Sequence, residues 1–502
     1  MSMNYALSGG HKKTIEAAEI ILNQGGNAVD AAIAGYLVSF VAEPCMASIG
    51  AGGFAMINDK EQIKVIDFFC QTPIKKKSIP QQEFYPVTVD FGSTKEDFHV
   101  GKGSIAVPGA LAGIYKMHEL YGSIPIKQLI EPALLWSKEG IALDKFQAYD
   151  FNLLNEIFAL SPDNAHIFFN ENGTLKNEGD IIKMESYSDF LDVLSHEGRD
   201  LFYKGEIAKS ISKDMLDGGH LTRLDFDQYE AVVREPIKFN FQGKSVHTTG
   251  FPSVGGMLVT AILNTFQDSI SDKKIYPLTI EHFQELATTF SSISQLNNDQ
   301  TKISNYLFHN FGINTRTNTN ASTSKWGGTS HFNVIDKKGM TVSLTTSVGE
   351  GSGYFIPGTD MQMNNMLGEE ALMPNGFHNW NENQRLQSMM CPTMLTNKNG
   401  STLHALGSGG AGRIPYAISQ VLINSEYFRS SIAQSISTPR LHINNSTFEV
   451  EKGFDVEEMA IPNLNIWENQ SLYFGGINAI TKIGNSYVGY ADRRRHGATV
   501  NK

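Results

Sequence analysis

The sequence predicts an α+β protein in which helices cover largely antiparallel sheets. Three observations predict it. Short apolar runs come in pairs across tight polar turns, as the strands of hairpins do. Segments with apolar residues at helical spacing alternate with those pairs along the whole chain. No Pro/Ser-rich linker and no internal repeat marks a domain boundary.

Taken in order, 12–42 reads as helices. Ile15, Ala18, Ile21 and Leu22 line one face, and Gly25-Gly26-Asn27 breaks the pattern. Asp30 then sits among Ala31, Ala32, Ala34 and Gly35, small residues that let a second helix pack closely. The stretch 48–53 is glycine-rich and reads as a flexible turn where bare backbone approaches a neighbour. A hairpin follows, 54–58 and 63–69, turning at Asp59-Lys60. Pro108 opens a helix near its first turn. Another amphipathic helix covers 129–138, and a third, 207–216, stops at Gly218-Gly219. The segment 225–229 is short and polar, and 237–247 is a hairpin around Gly243. Gly255-Gly256 opens a helix over 257–266, and 269–300 is polar and helical in character. A strand at 402–406 runs into the glycine run 407–412 and a helix over 414–428; strands at 448–450, 479–483 and 487–490 close the chain.

At 502 residues, 41% hydrophobic and 19% charged, the chain can bury a large core. A net charge of -11 argues against a nucleic-acid partner and against an anionic membrane surface. The basic runs Lys75-Lys76-Lys77 and Arg493-Arg494-Arg495 are short enough to be solvated faces. Cys45, Cys70 and Cys391 form no CxxC, so neither a zinc site nor a disulfide framework is expected. His220, His247 and His404 stand alone and read as structural; no metal and no cofactor is expected. No run approaches about 18 apolar residues, so no membrane span is expected. The N-terminus lacks a charged region followed by an apolar one, so no signal peptide is expected, and a cytoplasmic setting follows from that reading.

The chain is organised around Gly327-Gly328-Thr329-Ser330-His331-Phe332. The stretch 315–324 before it is almost all Thr, Asn, Ser and Ala, and reads as an exposed, mobile segment. After it, Phe332, Val334 and Ile335 begin a strand, Asp336-Lys337-Lys338-Gly339 turns it, and Val342, Leu344 and Val348 run back. A hydroxyl residue at such a junction, beside a flexible glycine, can attack the preceding carbonyl and cut the chain. Thr329 would then carry both a nucleophilic hydroxyl and a free α-amine as its own base. A plain loop-to-strand junction is the other reading that these residues allow.

Further motifs decide between them. Gly25-Gly26-Asn27-Ala28-Val29-Asp30-Ala31-Ala32, Gly50-Ala51-Gly52-Gly53-Phe54, Val107-Pro108-Gly109 and Phe202-Tyr203-Lys204-Gly205 precede the junction. Asn364-Asn365-Met366, Cys391-Pro392-Thr393, Gly407-Ser408-Gly409-Gly410 and Pro439-Arg440-Leu441-His442 follow it. In this order and spacing the chain resembles the γ-glutamyltranspeptidase family of N-terminal-nucleophile (Ntn) hydrolases over nearly its full length. The resemblance implies a four-layer αββα sandwich. It also implies a precursor cut between Gly328 and Thr329 into a large region, 1–328, and a small one, 329–502, intertwined as one structural domain. It implies Thr329 as nucleophile, Ser347 as a hydroxyl bonded to it that assists self-cleavage, and Gly410 and Ala411 as backbone oxyanion donors. The family has a second glycine where Ala411 stands, so the donor is expected to survive at a negative φ. His331 reads as structural support.

The substrate clamp departs from the family. Phe69 stands where the family has the arginine that pairs a substrate carboxylate. Gly349 stands at a usual Asn, Glu369 at a usual Asp, and Ser388-Met389 at paired serines. Phe69 and Met389 suit apolar bulk, and Glu369 suits a substrate amine. The expected partner is a small-molecule amide or peptide, and homo-oligomerisation is left open. Three readings follow: an amidohydrolase or acyltransferase of the γ-glutamyltranspeptidase type, an amidase or acylase of the same fold for another acyl group, and a non-catalytic ligand-binding relative.

Overall fold

The structure, a computed structural model, describes residues 4–90, 95–271, 273–296, 299–315, 328–373, 375–444, 447–456 and 461–502. The stretch 316–327, most of the segment expected to be mobile, lies outside the described residues. Two antiparallel sheets face each other. The first has seven strands in the order Ala498–Asn501, Ala6–Gly9, Thr329–Ile335, Thr341–Ser347, Gly52–Asn58, Ile63–Asp67, Val232–Arg234. The second has six: Ser486–Ala491, Gly476–Ile483, Thr402–Gly409, Thr393–Thr396, Lys244–Thr248, Ile237–Phe241. Each sheet is built from strands on both sides of Gly328.

A helical layer covers the outer face of each sheet, giving the expected αββα sandwich. Over the first sheet lies the helix Ala28–Ala42, capped by a reciprocal Asn27–Asp30 box and buried at every residue. Its small residues allow close approach to the helix Lys12–Asn23: a Cβ on Gly35 would lie 3.0 Å from the Thr14 carbonyl oxygen. Ile33, Tyr36, Leu37 and Phe40 of this helix share one apolar core with Phe332, Val334, Val342 and Leu344 of the central strands. Over the second sheet the helix Val254–Ser269 brings Leu258, Ile262 and Phe266 against Met394, Leu395, Ala405 and Leu406.

Between the sheets the filling changes character along the strands. Phe54, Met56, Val65 and Phe69 make one side apolar and join the second core. The central strands place His331, Asn333, Ser343 and Thr345 there instead, all buried. These groups are hydrogen-bonded across the gap, as buried polar groups must be. Asn333 Nδ2 donates to the Asn478 carbonyl at 2.9 Å, and Asn478 Nδ2 donates to the His331 carbonyl at 2.8 Å.

Three local expectations need correction. The stretch 48–53 is not a flexible turn: it is buried and runs into the strand Gly52–Asn58. Its glycines answer close packing, since a Cβ on Gly53 would lie 2.3 Å from the Thr345 carbonyl oxygen. The helix expected over 414–428 is α-helical only over Ile414–Leu422 and widens to a π-helix at Ile423–Tyr427. The wider turn carries buried Glu426 to His404 at 3.0 Å and to the Lys244 ammonium. The segment 269–300 holds one full helix, Ile280–Ser294, with the next beginning at Gln300. Among the described residues no helix is long and apolar enough to cross a membrane.

Candidate active site

Thr329 opens its strand and pairs with Ser347, the last residue of the neighbouring strand. Strand alternation sends Thr329, His331 and Asn333 to the gap between sheets and Ser330, Phe332 and Val334 toward the helices. The contacts agree: Ser330 Oγ donates to Glu43 of the helical layer at 2.5 Å, whereas a Cβ on Gly407 of the second sheet would meet the His331 ring at 2.4 Å.

His331 supports the strand, as expected. Its Nδ1 lies 2.8 Å from Thr345 Oγ1 and its Nε2 3.1 Å from Asn333 Oδ1. Burial pushes its pKa down to about 3, so the ring is neutral and carries no charge toward Thr329.

Gly328 is held at both its carbonyl and its amide. Ser347 Oγ donates to the Gly328 carbonyl oxygen at 2.7 Å and accepts from the Gly349 amide at 3.1 Å. The hydroxyl thus bonds the carbonyl that Thr329 would attack, whereas the resemblance placed that bond on the nucleophile. The register is the cause: pairing Thr329 with Ser347 sets the serine side chain beside the peptide just before the threonine. On the amide side, the Gly328 N–H donates to Glu350 Oε1 at 3.3 Å. Gly328 has no room for a side chain; a Cβ would lie 2.4 Å from the Gly349 carbonyl oxygen and 2.6 Å from that of Cys45.

The glycine run ending the strand Thr402–Gly409 abuts the nucleophile residue. A Cβ on Gly409 would sit 2.3 Å from the Thr329 carbonyl oxygen, which also accepts from Arg495 Nη1 at 3.4 Å. Gly410 follows at φ 120° and Ala411 at φ 45°, opening a short 3-10 turn over Ala411–Arg413. The expected negative φ of Ala411 is therefore corrected: the residue keeps its N–H but holds it in the left-handed region, where an L side chain costs about 1–2 kcal/mol. The turn retains the backbone path of a Gly-Gly pair, and the strain falls on the alanine.

Gly349, at φ 69°, has a similar explanation. A Cβ there would lie 2.0 Å from Asn365 Oδ1 and 2.9 Å from Glu369 Oε1. The space that a side chain at 349 would need is filled by Asn365, whose Oδ1 also accepts the Glu350 amide at 3.0 Å. Glu369 is thus brought close to Gly349 and Glu350, within the surroundings of Gly328. Burial, and the Glu369 carboxyl beside it, push Glu350 well above the usual carboxylate range, and burial raises Glu369 as well.

The remaining predicted clamp residues sit apart. Phe69 is 1% exposed and stacks on Phe54 at 5.8 Å within the second core. The arginine missing at 69 is not replaced by Arg385, although Arg385 lies against this segment. Its guanidinium donates to the Phe69 and Glu230 carbonyls, pairs with buried Asp67 at 3.6 Å and lies 4.5 Å from the Tyr229 ring centroid. Ser388 lies at the start of the helix Val254–Ser269, where its carbonyl accepts the Val254 and Gly255 amides at 2.8 and 3.1 Å. Its hydroxyl accepts the Met390 amide, and Met389 is buried beside it in the second core. Among the described residues no hydrogen bond joins Phe69, Ser388 or Met389 to Gly328 or Thr329.

Sequence reasoning missed Glu350 and Glu43, gave Asn365 no role within its motif, and took Arg495 for part of a solvated basic run, whereas it is buried against the Thr329 carbonyl. Glu350 left one faint signal, a lone acid between Gly349 and Gly351 directly after the strand that carries Ser347. The isolated histidines are structural in their contacts: His220 Nδ1 accepts the Lys77 amide at 3.0 Å, and His247 Nε2 lies 3.1 Å from Thr396 Oγ1. Among the described residues no group of acids, histidines and cysteines is arranged to hold a metal ion.

Two facing antiparallel sheets between helical layers, with a glycine–threonine step at the head of a central strand, are the architecture of the Ntn hydrolases. The family model described as Gamma-glutamyltranspeptidase matches residues 14–501, and the chain belongs to that family and is an enzyme of that kind. It is 26% identical to the glutathione hydrolase proenzyme of Bacillus subtilis, over 98% of this chain and 90% of that protein. It is 27% identical to the capsule biosynthesis protein CapD proenzyme of Bacillus anthracis, again over 98% of this chain and 90% of that one. Among solved structures, cephalosporin acylase from Bacillus halodurans matches with a TM-score of 0.80 at 20% identity, covering 99% of this chain and 96% of that chain. The gamma-glutamyltranspeptidase of Helicobacter pylori matches with a TM-score of 0.52 at 25% identity, over 62% of this chain and 91% of that chain.

Proposed function

We propose that this protein cuts itself between Gly328 and Thr329 and then uses Thr329 as the nucleophile of an amidohydrolase or acyltransferase. The observation that carries the reading is the 2.7 Å hydrogen bond from Ser347 Oγ to the Gly328 carbonyl oxygen. In the first step the Thr329 hydroxyl oxygen bonds to the Gly328 carbonyl carbon. The oxyanion forms where Ser347 already donates. The Gly328–Thr329 C–N bond then breaks, and the hydroxyl proton ends on the departing amine. Water adds to the resulting ester, giving a Gly328 carboxylate and restoring the Thr329 hydroxyl. The freed α-amine, with an ordinary pKa of about 7.7–8.0, then serves as base at neutral pH. In turnover the same oxygen attacks a substrate amide carbonyl, the Gly410 and Ala411 amides take the oxyanion, and water or an amine takes the acyl group.

The substrate is a small-molecule amide or peptide. The proenzyme relatives in Bacillus are named for glutathione hydrolysis and capsule biosynthesis. This chain places Phe69 where a carboxylate-pairing arginine is expected, and a carboxylate left unpaired in a pocket would cost roughly several kcal/mol. That substitution favours a second reading for the donor, an acyl group other than an ordinary γ-glutamyl one. Purified wild-type protein run on a denaturing gel should give two bands, for 1–328 and 329–502, with the smaller fragment starting at Thr329. Thr329→Ala should remain a single chain; a variant that still splits at Gly328 assigns the cut to another protease. Glutathione turnover by the cleaved protein as fast as the best acyl donor of a substrate panel would overturn the reading of the donor.

A further inference from the structure

We propose that Glu350 is the positioning residue for self-cleavage: its Oε1 holds the Gly328 amide and so fixes the attitude of the Gly328 carbonyl toward Thr329. The inference rests on the self-cleavage reading and goes beyond it, because neither the resemblance nor the relatives assign a role to an acid at this position.

Gly328 has no side chain by which packing can orient it, and glycine is the residue whose backbone is freest to rotate. Its two flanking peptides must therefore be held separately. The peptide after it is fixed by the pairing of Thr329 with Ser347 and by the Ser347 hydroxyl on its carbonyl. The Gly328 N–H is held by Glu350 through the 3.3 Å bond to Oε1. With its amide and its carbonyl both tied, the Gly328 carbonyl is presented to the hydroxyl of the next residue. Attack requires the reacting atoms within about 3–3.5 Å, and a displacement of about 1 Å costs on the order of a hundredfold.

Glu350 is itself placed by its neighbours. Its amide donates to Asn365 Oδ1 at 3.0 Å, and its side chain is fully buried beside that of Glu369. Glu350 Oε2 and Glu369 Oε1 have no donor from elsewhere among the described residues. The Glu369 carboxyl beside Glu350, together with burial, favours the protonated form of Glu350, which can donate to Glu369. A buried acid pair of this kind keeps Glu350 stationary and leaves its other oxygen for Gly328. An ionised, unpaired Glu350 would instead face a desolvation cost of several kcal/mol. The reason for an acid here is thus geometric: a long, buried side chain lying beside Glu369 reaches the Gly328 amide with Oε1.

The test compares cleavage rates of full-length wild type, Glu350→Gln and Glu350→Ala, each followed from uncleaved protein by denaturing gel, with thermal melts of the same samples. Glutamine keeps the Oε1 acceptor, so Glu350→Gln should cleave within about threefold of wild type. Glu350→Ala should slow cleavage by about 10- to 100-fold while the melt shows a folded precursor. If Glu350→Ala does not fold, Glu350→Met fills a similar volume without an acceptor and should show the same slowing. A folded acceptor-less variant that cleaves at the wild-type rate overturns the proposal, as does a Glu350→Gln that is as slow as the alanine variant. Wild type that never cleaves would instead remove the self-cleavage reading itself.

Discussion

Removing the Ser347 hydroxyl is the most direct probe of the proposed chemistry. Ser347 Oγ donates at 2.7 Å to the Gly328 carbonyl oxygen, the atom that becomes the oxyanion when Thr329 attacks. Two effects of Ser347→Ala can be separated. In the precursor, a buried carbonyl loses its hydroxyl donor, at a cost of about 1–3 kcal/mol in stability. In the transition state the loss is larger, because the oxygen then carries charge: deleting one such donor costs about 10²–10³ in rate, or about 2.7–4 kcal/mol. Ser347→Ala should therefore fold with a lowered urea midpoint and cleave about 100- to 1000-fold more slowly than wild type. Ser347→Thr restores a hydroxyl and should recover most of the rate. The assay is the time course of the 1–328 and 329–502 bands from purified precursor, beside urea unfolding of the same precursor. A folded Ser347→Ala precursor that cleaves within threefold of wild type would refute the oxyanion role of this hydroxyl.

Two further predictions concern strain and pH. Replacing Ala411 by glycine removes the left-handed strain at φ 45° but restores unfolded-chain entropy, so Ala411→Gly should change stability by no more than about 1 kcal/mol. It should keep turnover, since the amide donor is unchanged; loss of turnover in a folded variant would contradict a backbone role. Glu43, buried behind the nucleophile strand and bonded by Ser330 and Thr14, has its pKa pushed up to about 7, chiefly by burial. Because the folded pKa is raised, its stabilising contribution is complete below about 4.5 and is lost as pH climbs toward 7, by up to about 3 kcal/mol. Glu43→Gln has no such proton to lose, so relative to wild type it should gain stability between pH 5 and pH 8; parallel urea midpoints across that range would refute the assignment.

The parts of this fold that were legible in the sequence are those written in local order. The hairpin after Thr329 turns at the expected Asp336–Gly339 stretch, because alternating apolar residues and a turn sequence both lie within a few positions. The helix Ala28–Ala42 announces itself by the break at Gly25-Gly26-Asn27 and by its run of small residues. What was hidden depends on distant partners. Gly50, Gly52 and Gly53 look flexible alone and are in fact pressed against Met363, Cys70 and Thr345. Phe69 is recognisable in sequence only as the residue at the arginine position, and its stacking on Phe54 in the core that also holds Met389 depends on partners distant in the chain. Glu350 has no periodic signature, since its meaning comes from Gly328 before it in sequence and Glu369 after it. The positive φ of Ala411 likewise follows Gly409 and Gly410, which pack against Thr329 and Gly475, and a backbone angle of this kind leaves no mark when the residue is not glycine.

On the proposed reading the Thr329 hydroxyl must meet two carbonyls that differ in place. The first belongs to Gly328 and lies on the Ser347 side, tied by that hydroxyl and by Glu350. The second belongs to the substrate and must find the amides of Gly410 and Ala411, on the side where Gly409 touches the Thr329 carbonyl. One nucleophile between two donor sets means that neither set can substitute for the other. A side-chain donor suffices for the first, which is used once per molecule. Backbone donors suit the second, which is used at every turnover, because they lose no rotamer entropy and need no reorganisation. Changes at Ser347 or Glu350 should therefore act on the rate at which active enzyme is formed, and changes in the backbone of the 409–411 turn on the rate at which formed enzyme works. A variant of Ser347 that matures slowly should, once cleaved, turn over far closer to wild type than its cleavage rate suggests.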